Sequence, residues 1–310
     1  MDAGPIAAMP ARASGAAAIR RGAVLMAASL LLVLATNALA RDLASRYPVG
    51  EVLFFRFLGA LPVVVLLALP IGGAALSLRR IGVHAARAAL GVAGMIALYA
   101  SSQHLPFSDL IAISYSAPIF VALLAWPLLG ERVSLRRFLL ILAGFAGVML
   151  IACPGEFALW SLGALAMAVL NALSVISARS LGRTENAAAI ACNFAALGAL
   201  LSAPLLIFDW RTPDGPDLAP LIGLGLCAGL AIILNAQAFR HAPASVLAPI
   251  DYAGIVISVA IGFLVWSELP TRFMLVGGAV LVGAGILQLR VAQDEANGPL
   301  APSPDCRQYP

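Results

Sequence analysis

The chain contains no lysine, and only 11% of its 310 residues carry a charged side chain. An average soluble domain is about a quarter charged. A soluble chain of this size must cover its own surface with polar groups, so the shortage argues against a soluble enzyme. All 19 positive charges are arginines, set in ones and twos between apolar runs, and the net charge is +4. With no basic face, nucleic acid is not a partner. The four cysteines, Cys153, Cys192, Cys227 and Cys306, lie far apart with no C-x-x-C, which calls for neither a metal site nor a disulfide framework. No H-E-x-x-H, G-x-S-x-G or P-loop occurs, so no enzyme activity, metal or cofactor is expected. The one acidic pair, Asp214-x-x-Asp217, stands beside Pro213 and Gly215 and reads as turn chemistry.

What is abundant is apolar: 62% of residues are hydrophobic and the mean hydropathy is +0.97. The first apolar run, Gly22 to Ala40, follows Arg20-Arg21 as a signal peptide would, but its length of about 19 residues suits a retained membrane span. A sliding window gives ten spans: Gly22 to Ala40, Val49 to Ile71, Ala86 to Gln103, Leu110 to Leu129, Phe138 to Ala152, Phe157 to Ala178, Ala187 to Phe208, Pro220 to Phe239, Ser245 to Trp266 and Phe273 to Leu289. The fifth is short and extends naturally toward Leu135. Segments 1–19 and 291–310 are expected to be disordered cytoplasmic tails. With the N-terminus inside, 14 arginines fall on the cytoplasmic side and 4 on the other, Arg56 being left within a span. Positive charge is retained in the cytoplasm, which places both termini there.

Shifting the chain by 137 positions aligns His104 to Glu131 with His241 to Glu268 without a gap, identical at 7 of 28 positions, Tyr115/Tyr252 and Glu131/Glu268 among them. The same shift pairs Arg56-Phe57 with Asn193-Phe194. Two five-helix halves, 20–152 and 153–290, are implied. Five is odd, so the second half enters the membrane from the opposite side. The expected fold is all-α and polytopic, ten transmembrane helices as two inverted five-helix repeats, a design that places a substrate site between the halves and works by alternating access. Lacking a P-loop, such a carrier is facilitative or coupled to protons or a counter-substrate.

Ionisable groups at membrane depth face a cavity or a partner. Arg56 either snorkels outward or pairs with Glu51 or Asp42, or serves a structural or substrate-anion role. Asp251 either faces the cavity, toward a substrate amine or a proton, or hydrogen-bonds between helices near Pro249. The candidate substrate-binding residues are Asn37, Tyr99, Gln103, Ser114, Tyr115, Asn171, Gln237, Asp251 and Tyr252, with Arg56 and Asn193 as structural or coupling residues. Tyr115 and Tyr252 are expected to be symmetry mates, each about 10 Å deep from opposite faces, bounding a cavity above and below or packing between helices. Gly144-x-x-Gly147, Gly225-x-x-x-Gly229 and Gly277-Gly278 read as close helix contacts. Trp126, Trp160, Trp210 and Trp266 fall near span ends, as interfacial anchors do.

Ser114-Tyr115-Ser116-Ala117-Pro118-Ile119-Phe120, Gly130-Glu131-Arg132 and Gly144 to Leu150 resemble the first-half signature of the EamA-type family in the drug/metabolite transporter superfamily. Ala236 to Ser245, Asp251-Tyr252 and Ser267-Glu268-Leu269-Pro270 are similar to its second repeat, which here has Gly254-Ile255 where the first half has Ala117-Pro118. The resemblance implies a ten-helix bacterial inner-membrane carrier in membrane lipid, with a cavity lined by helices 1, 3, 4, 6, 8 and 9. It also implies a small-molecule substrate: members export amino acids, their analogues or metallophores, or import riboflavin or S-adenosylmethionine. The expected function is export of a small amphipathic, amino-acid-like metabolite; the alternative is uptake of a vitamin or nucleotide-like cofactor, and a remote one is a membrane-embedded enzyme.

Overall fold

The computed structural model describes residues 16–69, 80–129, 135–152, 158–182, 184–242 and 244–297. They form α1 (Ala16–Ala44), α2 (Val49–Ala68), α3 (Ile81–Ser102), α4 (Phe107–Ser114), α5 (Ala117–Leu129), α6 (Leu135–Ala152), α7 (Ala158–Leu181), α8 (Ala187–Ser202), α9 (Gly215–His241), α10 (Ala244–Trp266) and α11 (Arg272–Asn297). A 3₁₀ turn, Ala203–Ile207, prolongs α8. No strand occurs among the described residues. In lipid every backbone polar group must find its partner within the chain, and helices satisfy that locally.

Six helices are long and apolar enough to cross a membrane, and four shorter apolar ones lie at Phe107–Val121, Phe138–Ala152, Tyr252–Trp266 and Arg272–Gln288. The outer surface is itself apolar: Leu66, Leu200 and Leu264 are 66%, 66% and 78% exposed. A water-facing protein would lose solubility with such a surface, whereas hydrocarbon accommodates it. The span expected at Leu110 to Leu129 is broken into α4 and α5 at Tyr115-Ser116. Pro118 has no N–H to give to Ser114, and the Ser116 N–H turns instead to the Ile113 carbonyl at 3.0 Å. α10 has no such break at Gly254-Ile255. α6 does begin at Leu135. Helix also enters both expected tails, since α1 starts at Ala16 and α11 runs to Asn297; the remainder of those tails lies outside the described residues.

The principal packing pairs are α1 with α9, α3 with α7, α6 with α11, and α2 with both α8 and α9. Glycine seams explain several of them. A Cβ built on Gly59 would come within 2.9 Å of the Gly225 Cα, and one on Gly147 within 2.8 Å of the Gly277 carbonyl oxygen. Backbones approach this closely only where both sides are small, and in lipid such contacts supply the van der Waals cohesion that water would otherwise drive. Antiparallel neighbours leave two ends to the bundle. One carries the turn at Tyr47 with the starts of α2, α4, α9 and α11; the other carries Arg80, Glu185 and the start of α8.

Candidate functional site

A cavity of about 580 Å³ lies between α1, α2, α3, α7, α8 and α9, within the range of small-molecule sites. Its lining reaches from Thr36, Arg56 and Met95 in the bundle interior to Gly182, Glu185 and Ala187 at the Glu185 end. Gly182 and Ala187 are exposed, which makes that end the mouth. Most of the wall is alanine, phenylalanine, valine and isoleucine, so its polar groups stand out: Ser29, Thr36, Arg56, Arg87, Glu185 and Asn235.

Several of these groups already have partners. Ser29 Oγ donates to the Ala231 carbonyl at 2.9 Å and Thr36 Oγ1 to the Leu32 carbonyl at 2.7 Å. Arg56 donates through Nη1 to the Tyr99 hydroxyl at 2.6 Å, and Tyr99 itself is buried. Arg87 donates through Nη1 to the Ile190 carbonyl at 3.0 Å, with its guanidinium 4.3 Å from the Phe194 ring centre. At the mouth the buried Glu185 carboxylate meets His84 Nε2 at 2.7 Å, and Asn193 Nδ2 lies 3.5 Å from the same nitrogen.

Of the residues expected from sequence, Arg56 lines the cavity, Tyr99 holds Arg56, and Asn193 stands beside the His84–Glu185 pair. Tyr115 and Tyr252 come together, their ring centres 6.2 Å apart, rather than standing above and below a cavity; neither lines the one described. Ser114 Oγ bonds back to the Leu110 carbonyl of its own helix at 2.7 Å. Gln103 is exposed at the end of α3 and donates to the Arg41 carbonyl at 2.9 Å. Asn37 is half-buried beside the lining residue Thr36, Asn171 is exposed, and Gln237 is half-buried on α9 next to the lining residue Ala236. The Asp251 backbone is helical; its side chain lies outside those described. Sequence reasoning missed Arg87, Glu185 and His84. It counted Arg87 among the cytoplasmic arginines because that residue stands at the very edge of the span opening at Ala86, while the helix begins at Ile81. The apolar Ile81 and Val83 were the available signal.

The opposite end is cross-linked. Arg41 grips Glu268 through both terminal nitrogens, at 2.6 and 3.1 Å, and stands 4.5 Å over the Trp266 ring. Glu268 Oε2 also accepts the Phe107 N–H at 2.7 Å, tying α1, α4 and the α10–α11 turn together. Arg46 bonds both Asp42 and Asp217, and the Tyr47 hydroxyl donates to Asp217 at 2.9 Å while accepting the Asp214 N–H at 3.2 Å. The acidic pair of the α8–α9 connection thus serves as a fastening. No cluster of three or more metal-ligating side chains occurs among the described residues.

Apolar helices enclosing a charged cavity, fastened at one end and open at the other, define the protein as a polytopic membrane transporter of small molecules. The chain belongs to the EamA-like transporter family, whose profile matches it twice, over residues 20–153 and 158–290. It is similar to the pseudopaline exporter CntI of Pseudomonas aeruginosa (strain UCBPP-PA14), 29% identical over 83% of this chain and 94% of that protein. It is also similar to a riboflavin transporter of Brucella anthropi, at 28% identity over 76% of this chain and 86% of that one. An S-adenosylmethionine uptake transporter of Rickettsia felis is 27% identical over 83% and 88% of the two chains. A solved crystal structure, 20% identical, superposes with a TM-score of 0.64 over 88% of this chain and 98% of its own, a likeness of fold.

Proposed function

We propose that the protein is a secondary transporter of the bacterial inner membrane, with both termini cytoplasmic, that exports a small amphipathic, amino-acid-like metabolite by alternating access between two inverted five-helix repeats. The carrying observation is the cavity of about 580 Å³ formed by helices of both halves, with the exposed lining residues Gly182 and Ala187 at the Glu185 end. The repeat is supported by residues that meet their own counterparts: Phe57 and Phe194 have ring centres 5.6 Å apart, and Tyr115 meets Tyr252. Residues exchanged by a twofold axis touch only where they lie on it. The paired packings of α1 with α9 and of α3 with α7 are likewise exchanged by that axis. Arginine counting supports a cytoplasmic Glu185 end, and on that reading the cavity faces inward.

Export is favoured by the similarity to an exporter at the highest coverage of the relatives above, and uptake of a vitamin or nucleotide-like compound is the competing direction. For proton coupling the candidates are Asp251, from its position in the sequence, and the His84–Glu185 pair at the mouth. Comparing metabolite levels inside and outside cells with and without the protein decides: accumulation of an amino-acid-like compound inside cells lacking it supports export, and its depletion there means uptake. Topology has its own test. Cys306 should react only with reagents that reach the cytoplasm and Gly215→Cys only from outside; labelling of both from one side refutes the inverted arrangement.

A further inference from the structure

We infer that the cavity recognises an acid group of its substrate through its two arginines, Arg56 and Arg87, an inference that rests on the transport reading and sharpens it. Both guanidiniums line the same cavity, one from α2 and one from α3. The ion pairs among the described residues are Arg41–Glu268, Arg46–Asp42, Arg46–Asp217 and His84–Glu185, and neither cavity arginine belongs to one. Their partners in the cavity are neutral: a tyrosine hydroxyl for Arg56, a backbone carbonyl and an aromatic face for Arg87. Arg87 Nε is buried with no hydrogen-bond acceptor at all. A charge at membrane depth costs several kcal/mol unless an opposite charge offsets it. Two of them in one cavity, one with an idle buried donor, leave a deficit that an incoming anion fills.

The arrangement is also built to hold its shape. Tyr99 fixes the Arg56 head, and Phe194 supports that of Arg87; Phe194 in turn meets Phe57, the neighbour of Arg56 in sequence. Two guanidiniums each held by a packed neighbour keep their forks ready without ordering them at each cycle, and the planar fork matches a carboxylate in two-point hydrogen bonding. Glu185 is the one carboxylate among the described lining residues. Its contact is with His84, and it forms an ion pair with neither arginine. The lining therefore presents two guanidiniums against one carboxylate with apolar walls around them, which selects an amphipathic molecule that carries an acid group.

The test uses the purified full chain and a panel of carboxylic-acid metabolites, the primary amide of each, and phosphate monoesters of matching size, with thermal stability as the binding readout. Acids should stabilise the protein and amides should not, and Arg56→Gln or Arg87→Gln should weaken the acids' apparent affinity at least about tenfold. Arg56→Lys and Arg87→Lys keep the charge and guard against misfolding of the glutamine variants; the loss should persist in part, because the fork is gone. Equal shifts by acids and amides, no shift by any acid, or shifts that survive both substitutions overturn the carboxylate site, and so does a clear preference for phosphate monoesters. Flux into proteoliposomes separates the two levels: acids that bind but are not moved leave the site standing and sink the transport reading, whereas movement of amides and amines alone does the reverse.

Discussion

The two ends of this bundle are held by different chemistry. At the Tyr47 end, bonds run between helices far apart in sequence: Arg41 to Glu268, Arg46 and Tyr47 to Asp217, and the Arg211 N–H to Glu51. At the Glu185 end, α8 is capped from within its own turn, Asn186 Oδ1 accepting the N–H groups of Ala188 at 2.8 Å and Ala189 at 3.3 Å. The cross-helix bonds there, Arg80 to Ser180 and His84 to Glu185, join α3 to α7 and to the α7–α8 connection on one side of the mouth. Bonds across the two halves occur at both ends, but at the Glu185 end they run from α3 to α7, α8 and the connection between them, on one side of the mouth, whereas at the Tyr47 end they tie α1, α2 and α4 to α9, its preceding connection and the α10–α11 turn. The difference teaches which polar contacts must break for the carrier to change state: those at the Tyr47 end, while the caps stay.

The most disruptive way to break this comparison is Glu268→Gln. The Arg41–Glu268 pair is partly shielded, with side chains 14% and 20% exposed. Its loss should therefore cost about 2 kcal/mol, between an exposed and a buried ion pair. A cysteine placed at Met95 in the cavity should then become reachable from the Tyr47 end; a thermal midpoint and labelling rate unchanged from the parent would remove the pair from the fastening. Asn186→Ala at the other end should cost about 1 kcal/mol by loss of the cap, seen as a lower unfolding midpoint with no change in labelling at Met95. If access changed as well, the division into local and cross-helix ends would fail.

Ser267 follows α10 in the left-handed region, at φ 56°. This turn aims Glu268 at Arg41, and the corresponding residue of the first half is Gly130. Ser267→Gly should stabilise the protein by roughly 1 kcal/mol or less, because glycine adopts that conformation without the Cβ penalty; a lower midpoint would mean that the serine side chain matters more than the strain. The finest effect concerns Tyr47. Its phenol is moved by the Asp214 N–H, which favours the ionised form, but burial and the Asp217 carboxylate outweigh it and raise the pKa above the ordinary 10. A raised folded value favours the neutral phenol, so this contribution is complete below pH 10 and declines as pH rises through the folded value. Tyr47→Phe should flatten the stability profile above pH 10, and an unchanged slope would assign it to other groups.

The spans were legible because hydrocarbon leaves so little choice: apolar runs of about 20 residues must be helices. The glycine contacts were legible too, as Gly147 against Gly277 and Gly225 against Gly59 bear out. Less could be read where two segments must meet. Glu185 follows α7 in a short connection and gains its meaning only from His84, a hundred positions away in a helix whose start the window overshot. The tyrosines illustrate a geometric limit. Each was placed about 10 Å from opposite faces of a core about 30 Å thick, which leaves about 10 Å between them, a gap that two long rings pointing at each other close. Depth along the membrane normal comes from counting residues; the azimuth of a side chain comes only from packing.

The seam between α6 and α11 carries a further consequence, for biogenesis. Its glycines, Gly147 and Gly277, stand in the fifth and the last of the membrane segments. During synthesis α6 leaves the translocon long before its partner exists, with a strip of bare backbone facing acyl chains. The first half is therefore an unfinished product until the ribosome has delivered α11, and a chain stopped within the α10–α11 turn presents a grooved helix with nothing to fill it. Membrane quality-control proteases meet that groove for as long as translation of the second half takes, so slowing the ribosome after residue 153 should lower the yield of mature carrier more than slowing it before.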